Sequence, residues 1–78
     1  MEKNSRALDV VPGVKFKHFK GNIYEIVCLA KHTESEEDLV VYKSEVQTYA
    51  RPLEMFLSGV DKEKYPDETQ RYRFEVYN

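Results

Sequence analysis

Along residues 13–32, GVKFKHFKGNIYEIVCLAKH, apolar positions first recur every second residue and then crowd together. Val14, Phe16 and His18 occupy one phase of the alternation, Lys15 and Lys17 the other. A period of two marks a strand with one face in a core and one in water. Gly21 and Asn22 tolerate positive φ, so the chain reverses at Lys20-Gly21-Asn22. Residues 23–32 form the return arm. They are apolar in both phases between Ile26 and Ala30, which predicts a long strand covered on both sides.

The remaining segments build on this hairpin. Residues 33–38 (TESEED) have no apolar anchor and predict a polar connection. LVVY at 39–42 is β-branched and aromatic, the composition of a third strand. A reversal at 43–46, unmarked by Gly or Pro, leads to a short fourth strand at 47–51. Pro52 ends that strand because it has no N–H for the ladder. The period then changes. Leu53, Phe56, Leu57 and Val60 fall at helical spacing, Pro52 suits a first helical turn, and Gly59 is a natural stop. A short helix or 3-10 turn plugging one end of the sheet is expected. Residues 61–70 are charged and contain Pro66, as an exposed loop would. Residues 71–77 alternate again, placing Tyr72, Phe74 and Val76 inward and Arg71, Arg73 and Glu75 outward in a fifth strand. At the N-terminus, residues 1–9 have no structural period and predict a flexible lead-in, leaving 10–78 as the single domain. Leu8, Val10 and Val11 are candidates for an edge segment or for packing across the barrel mouth, and Pro12-Gly13 turns the chain into the first strand.

The expected fold is therefore mainly all-β: a small five-stranded SH3-like barrel with a short helix or 3-10 turn before the last strand. An OB-type barrel is the second choice. Closure is physically attractive because it removes strand edges that so small a sheet could not otherwise protect.

Composition narrows the function. Seventy-eight residues allow one domain and about 3–5 kcal/mol of net stability without extra staples. The single cysteine, Cys28, cannot pair within the chain, and its apolar strand predicts a small buried hydrophobe. One unpaired cysteine and no secretory pattern point to the cytoplasm. No run approaches the ~18–20 apolar residues that span a bilayer, so no membrane partner is expected. Twelve basic and 14 acidic side chains give a net charge of −2, with no global attraction to polyanions. Locally, Lys15, Lys17, His18 and Lys20 make a basic hairpin, and Glu34, Glu36, Glu37 and Asp38 an acidic loop; both are explained as solvated surface.

Three segments, KHFKGNIYE (17–25), LVVY (39–42) and RPLEMF (51–56), together resemble an uncharacterised bacterial family, domain of unknown function sixteen fifty-three. Its members carry an H-x-K-G-N-x-Y-E-V core, an A-x-H-S/T-E-T/S loop matched here by AKHTES (30–35), an L-V-V-Y strand and an R-P-L-E-M-F turn. The resemblance implies a small SH3-like barrel with no activity attached. Members usually place a tryptophan where this chain has Tyr49, and their hairpin between Tyr42 and Tyr49 is longer.

No Gly-rich phosphate loop, nucleophile elbow or cysteine pair at ligand spacing is present, and no cofactor is expected. Glu25 and Glu54 could form a carboxylate pair only in a cleft deeper than a domain this small builds. His18 and His32 are the only histidines and lack further ligands for a metal; each is expected to hydrogen-bond a neighbouring carboxylate. Arg51 and Glu54 either pair across Pro52, with Glu54 also placed to cap the helix, or Arg51 faces a groove beside Tyr42 and Tyr49. Six tyrosines and four phenylalanines exceed what so small a barrel interior holds, so some must be exposed. Phe19, Tyr24, Tyr42 and Tyr49 have ambiguous or outward phase. The candidate ligand surface is His18, Phe19, Tyr24, Tyr42, Tyr49, Arg51 and Glu54. Its expected use is non-catalytic binding of a protein or peptide. The alternative is nucleic acid held by Lys15, Lys17, Lys20 and Arg51 with stacked tyrosines; an enzyme of unknown reaction is the weakest reading.

Overall fold

The computed structural model describes residues 5–78. Its five strands are β1 (Lys15–His18), β2 (Ile23–Lys31), β3 (Asp38–Lys43), β4 (Thr48–Pro52) and β5 (Phe74–Val76), with a one-turn helix, α1 (Leu53–Phe56), between the last two. All neighbours are antiparallel, and the sheet order is β4-β3-β2-β1-β5. The fold is mainly β with a short helix before the last strand, as the periodicity predicts. β4 and β5 are the two edges. Among the described residues no hydrogen-bonded register joins them, so their approach depends on side chains.

The first hairpin follows the sequence closely. Phe16 is buried while Lys15 and Lys17 are exposed, and Phe16 lies opposite Tyr24. Gly21 takes φ +110, and its amide closes the turn onto the His18 carbonyl at 2.8 Å. A left-handed backbone of this kind is open mainly to glycine. The Lys43-to-Thr48 reversal manages without Gly or Pro because the Ser44 hydroxyl accepts the Val46 and Gln47 amides at 3.2 and 3.1 Å.

β2 departs from expectation. Tyr42 pairs with Ile26 but Val41 pairs with Cys28, so Val27 is an unpaired bulge residue that shifts the register by one. Val27 and Leu29 are exposed rather than covered, and Cys28 is half-buried. The expected burial of both faces therefore fails: the continuous apolar run conceals a change of phase, not a second covering layer.

The helix is one turn, and Gly59 does not stop it. Pro52 caps it from outside, at φ −55, and Leu57 closes it in a right-handed conformation. The Ser58 hydroxyl donates to the Met55 carbonyl at 2.6 Å, and Gly59 instead bridges to Tyr72. The apolar face is as predicted: Phe56, Leu57 and Val60 are buried and Leu53 half-buried. The last strand is shorter than expected. Phe74 is buried, but Tyr72 is half-buried outside the strand and Val76 is exposed.

Of the predicted flexible lead-in, residues 1–4 lie outside the described residues. Ser5–Asp9 form a 3-10 turn, and Val10 packs in the core rather than at an edge. Arg6 donates to the Leu57 carbonyl at 2.6 Å and to the Phe74 carbonyl, and its guanidinium lies 3.9 Å from the centre of the Tyr72 ring. These contacts fasten the N-terminal turn across the outer edge of β5.

Candidate recognition surface

An aromatic cluster forms the interior and continues to the rim. Phe56 and Phe74 stack at 4.2 Å, and Phe16 meets Phe56 edge-on at 5.2 Å. Tyr42 contacts both Phe56 and Phe74, at 5.3 and 5.5 Å. Tyr24 then reaches Tyr42, Tyr49 and Phe74 at 5.3–5.9 Å, while His18 reaches Phe19 and Phe74 at 4.6 and 4.8 Å. Phe19 in turn meets Tyr65 at 4.9 Å. Edge-to-face pairs at these separations each add about 0.5–1.5 kcal/mol beyond area burial.

Of the expected surface residues, Phe19, Tyr24, His18 and Arg51 are half-buried and Tyr49 is 40% exposed. Tyr42 departs from expectation. It is only 4% exposed, because it shares the inward phase of β3 with fully buried Val40 and lies opposite buried Ile26. It supports the rim and does not line it. Glu54 is exposed on α1; it forms neither an ion pair with Arg51 nor a helix cap, and it is not part of the cluster.

The two histidines are separate. His18 opposes Phe74 at the Gly21 end, and His32 follows the far end of β2, roughly 30 Å along the strand. Among the described residues neither meets a carboxylate, contrary to expectation. The His18 Nδ1 accepts the Lys20 amide at 3.1 Å, and the His32 Nδ1 accepts the Glu34 and Ser35 amides at 3.1 and 3.2 Å. Burial holds the His18 imidazole below its ordinary pKa, and the cations of Arg51, Lys20 and Arg73 lower it further. Among the described residues there is no group of three or more His, Cys, Asp or Glu side chains able to hold a metal.

The basic hairpin does not present one face. Lys15 and Lys17 point outward opposite Glu25 and Glu75, in a cross-strand pattern of opposite charge. Lys20 and Arg51 instead line a pocket of about 270 Å³ with His18, Phe19, Asp61, Lys64, Tyr65 and Arg73. Lys64 and Tyr65 belong to a loop without period, and Arg73 reads only as an outward residue of the fifth strand, so the sequence singles out none of the three. The one legible signal is the interleaving of Lys or Arg with Tyr in 64–73. Two ties hold that segment against the hairpin: the Phe19 amide to the Arg73 carbonyl, and the Gln70 side chain to the Lys17 carbonyl, both 2.9 Å.

The edges also differ. On β5 Arg6 covers the Phe74 carbonyl, and the two residues before the strand are tied outward by the Arg73 amide bond to the Ser58 carbonyl at 3.0 Å and by the Gly59–Tyr72 bridge. On β4, among the described residues, no hydrogen bond reaches Thr48, Tyr49, Ala50 or Arg51 from outside the pairing with β3. A shallow surface beside it, lined by Tyr24, Ser44, Glu45, Val46 and Tyr49, measures about 450 Å³.

The fold thus defines a small antiparallel β domain with a half-exposed aromatic rim and, among the described residues, no partner on the outer edge of β4. The family model described as "Protein of unknown function (DUF1653)" matches residues 14–76, and the chain belongs to that family. No curated protein and no solved structure matches the chain. No described helix is long and apolar enough to cross a membrane.

Proposed function

We propose that this domain is a non-catalytic recognition module that binds an extended protein segment along β4, beside the Tyr24 and Tyr49 rings. The observation that carries this reading is the asymmetry of the sheet. Arg6 covers the Phe74 carbonyl on β5, whereas among the described residues the outer backbone groups of Thr48 to Arg51 on β4 have no partner beyond β3 and lie next to an exposed tyrosine. An extended peptide gains affinity from such backbone groups and specificity from neighbouring side-chain surfaces. The strand order, with α1 before the last strand, supports treating the domain as a small SH3-like barrel. The unpaired Cys28 supports a reducing, cytoplasmic setting.

Charge favours a peptide over a nucleic acid. Glu25 and Glu45 flank the Tyr24 surface, and Lys15 and Lys17 lie opposite carboxylates, so a polyanion along the rim meets repulsion beyond Arg51. Peptides selected from a random library for binding test the reading. Selected peptides are expected to lose about tenfold in affinity for Tyr49→Ala, and to depend weakly on salt. Equal affinity for Tyr49→Ala, or steeply salt-dependent binding of single-stranded oligonucleotides in preference to any peptide, would overturn it.

A further inference from the structure

We propose that the pocket between the Lys20 turn, the end of β4 and residues 61–73 binds a phosphate monoester. Its phosphoryl group would sit among Lys20, Arg51, Lys64 and Arg73, and its organic group against Phe19 and Tyr65.

The four cations come from three segments distant in sequence, yet they line one cavity in a chain whose net charge is −2. Among the described residues none of the four has a carboxylate within ion-pair distance; the ion pair present, Lys31 with Asp38, lies on another hairpin. The pocket's one acid, Asp61, is turned to its own loop, where its carboxylate accepts the Glu63 amide at 3.0 Å and its carbonyl the Tyr65 amide at 2.9 Å. Gathering like charges without counter-ions is unfavourable, and a bound anion removes the penalty. The same cations reach His18, whose imidazole is held below its ordinary pKa first by burial and then by Arg51, Lys20 and Arg73.

Charge and size select the ligand. With Asp61 included, the excess of about three positive charges exceeds what one carboxylate neutralises and suits the −1.5 to −2 charge of a phosphate monoester near neutral pH. Arg51 and Arg73 offer the planar forks that phosphate oxygens accept from in pairs. A volume of about 270 Å³ lies just below the ~300 Å³ of the smallest usual ligand pockets, so the organic group is small. Phe19 and Tyr65, edge-to-face at 4.9 Å with the Lys20 ammonium 5.5 Å from the Tyr65 ring, give it an aromatic wall.

The site is separate from the peptide edge except for Arg51, and it stands whether or not a peptide docks on β4. The test is a titration of the protein, followed by amide shifts and by the His18 imidazole resonance, with phenyl phosphate, inorganic phosphate and benzoate. Phenyl phosphate is expected to bind about tenfold more tightly than inorganic phosphate, through the ring, and more tightly than benzoate, through the second charge. His18 should then titrate at higher pH, because the bound anion offsets Lys20, Arg51 and Arg73, with Lys64 and Asp61 the other charged groups facing the pocket. Lys20→Gln with Lys64→Gln, both at exposed positions, should weaken phenyl phosphate about tenfold or more; Lys15→Gln with Lys17→Gln and Tyr49→Ala should leave it unchanged. A phosphotyrosine peptide binding more tightly than phenyl phosphate would assign the monoester to a protein side chain, and equal binding to a small metabolite. No saturable shift at millimolar phenyl phosphate, an unmoved His18, or equal loss in the Lys15/Lys17 variant would overturn the proposal.

Discussion

Phe74 is the residue on which the approach of the two sheet edges depends. It is 1% exposed on the short strand β5, stacks on Phe56 at 4.2 Å, and meets His18, Tyr42 and Tyr24 at 4.8, 5.5 and 5.9 Å. The Arg51 guanidinium of the opposite edge lies 5.6 Å from its ring. Replacing a fully buried Phe by Ala removes its transfer free energy and leaves a cavity, together about 3–5 kcal/mol. Four ring partners place Phe74 at the upper end of that range. A domain of this size holds only about 3–5 kcal/mol in all, so Phe74→Ala should have no cooperative transition at room temperature. Phe74→Leu keeps most of the volume and loses the ring geometry. A loss of about 1–2 kcal/mol should lower Tm by roughly 4–16 °C at this chain length. Urea and thermal unfolding followed by far-UV circular dichroism, with tyrosine fluorescence as a second probe because the chain has no tryptophan, measure both. Val76→Ala, exposed two residues further on, is the control and should stay within about 0.5 kcal/mol of wild type. A Phe74→Ala protein as stable as that control would refute the view that β5 is held by its rings.

Arg6→Ala removes hydrogen bonds to the Leu57 and Phe74 carbonyls and should cost about 1–3 kcal/mol in urea unfolding, with Arg6→Lys recovering only part. Because the folded His18 pKa lies below its ordinary 6.5, the unfolded chain binds the extra proton first. Stability should therefore fall as pH drops below 6.5 and level off below the lowered folded value. Urea midpoints between pH 8 and 5 should show a smaller decline in His18→Gln, and an equal decline would count against the assignment. Gly21→Ala forces a side chain into φ +110 and should cost about 1–3 kcal/mol, although open space surrounds the site; unchanged stability would mean that the turn relaxes freely.

What the sequence reveals here is whatever depends on local period. The Val14–Phe16–His18 phase, the Gly21 turn and the Leu53–Phe56–Leu57–Val60 face all survive in the structure. The one-residue bulge at Val27 leaves no trace in a stretch where both phases are apolar, and it leaves Val27 and Leu29 exposed. Arg6 is invisible for a different reason: its partners are 51 and 68 positions away, and no pattern near Arg6 announces them. The candidate surface is half legible. His18, Phe19, Tyr24, Tyr49 and Arg51 follow from strand phase and an excess of aromatics. Lys64 and Tyr65 reach the pocket because Gln70 and the Arg73 carbonyl tie their aperiodic loop to the first hairpin, and Arg73, legible only as an outward strand residue, lines it with them.

The central functional claim is that the open edge of β4 and the Tyr24–Tyr49 rim together form a docking surface. Amide chemical shifts of isotope-labelled protein, recorded while a selected peptide is added to saturation, test it most directly. Shifts should concentrate at Thr48–Pro52 of β4 and at Tyr24, with β5 and its Arg6 cover unchanged. Shifts centred on β5, on the outward Lys15 and Lys17, or on the 33–37 loop, with β4 silent, would contradict the account.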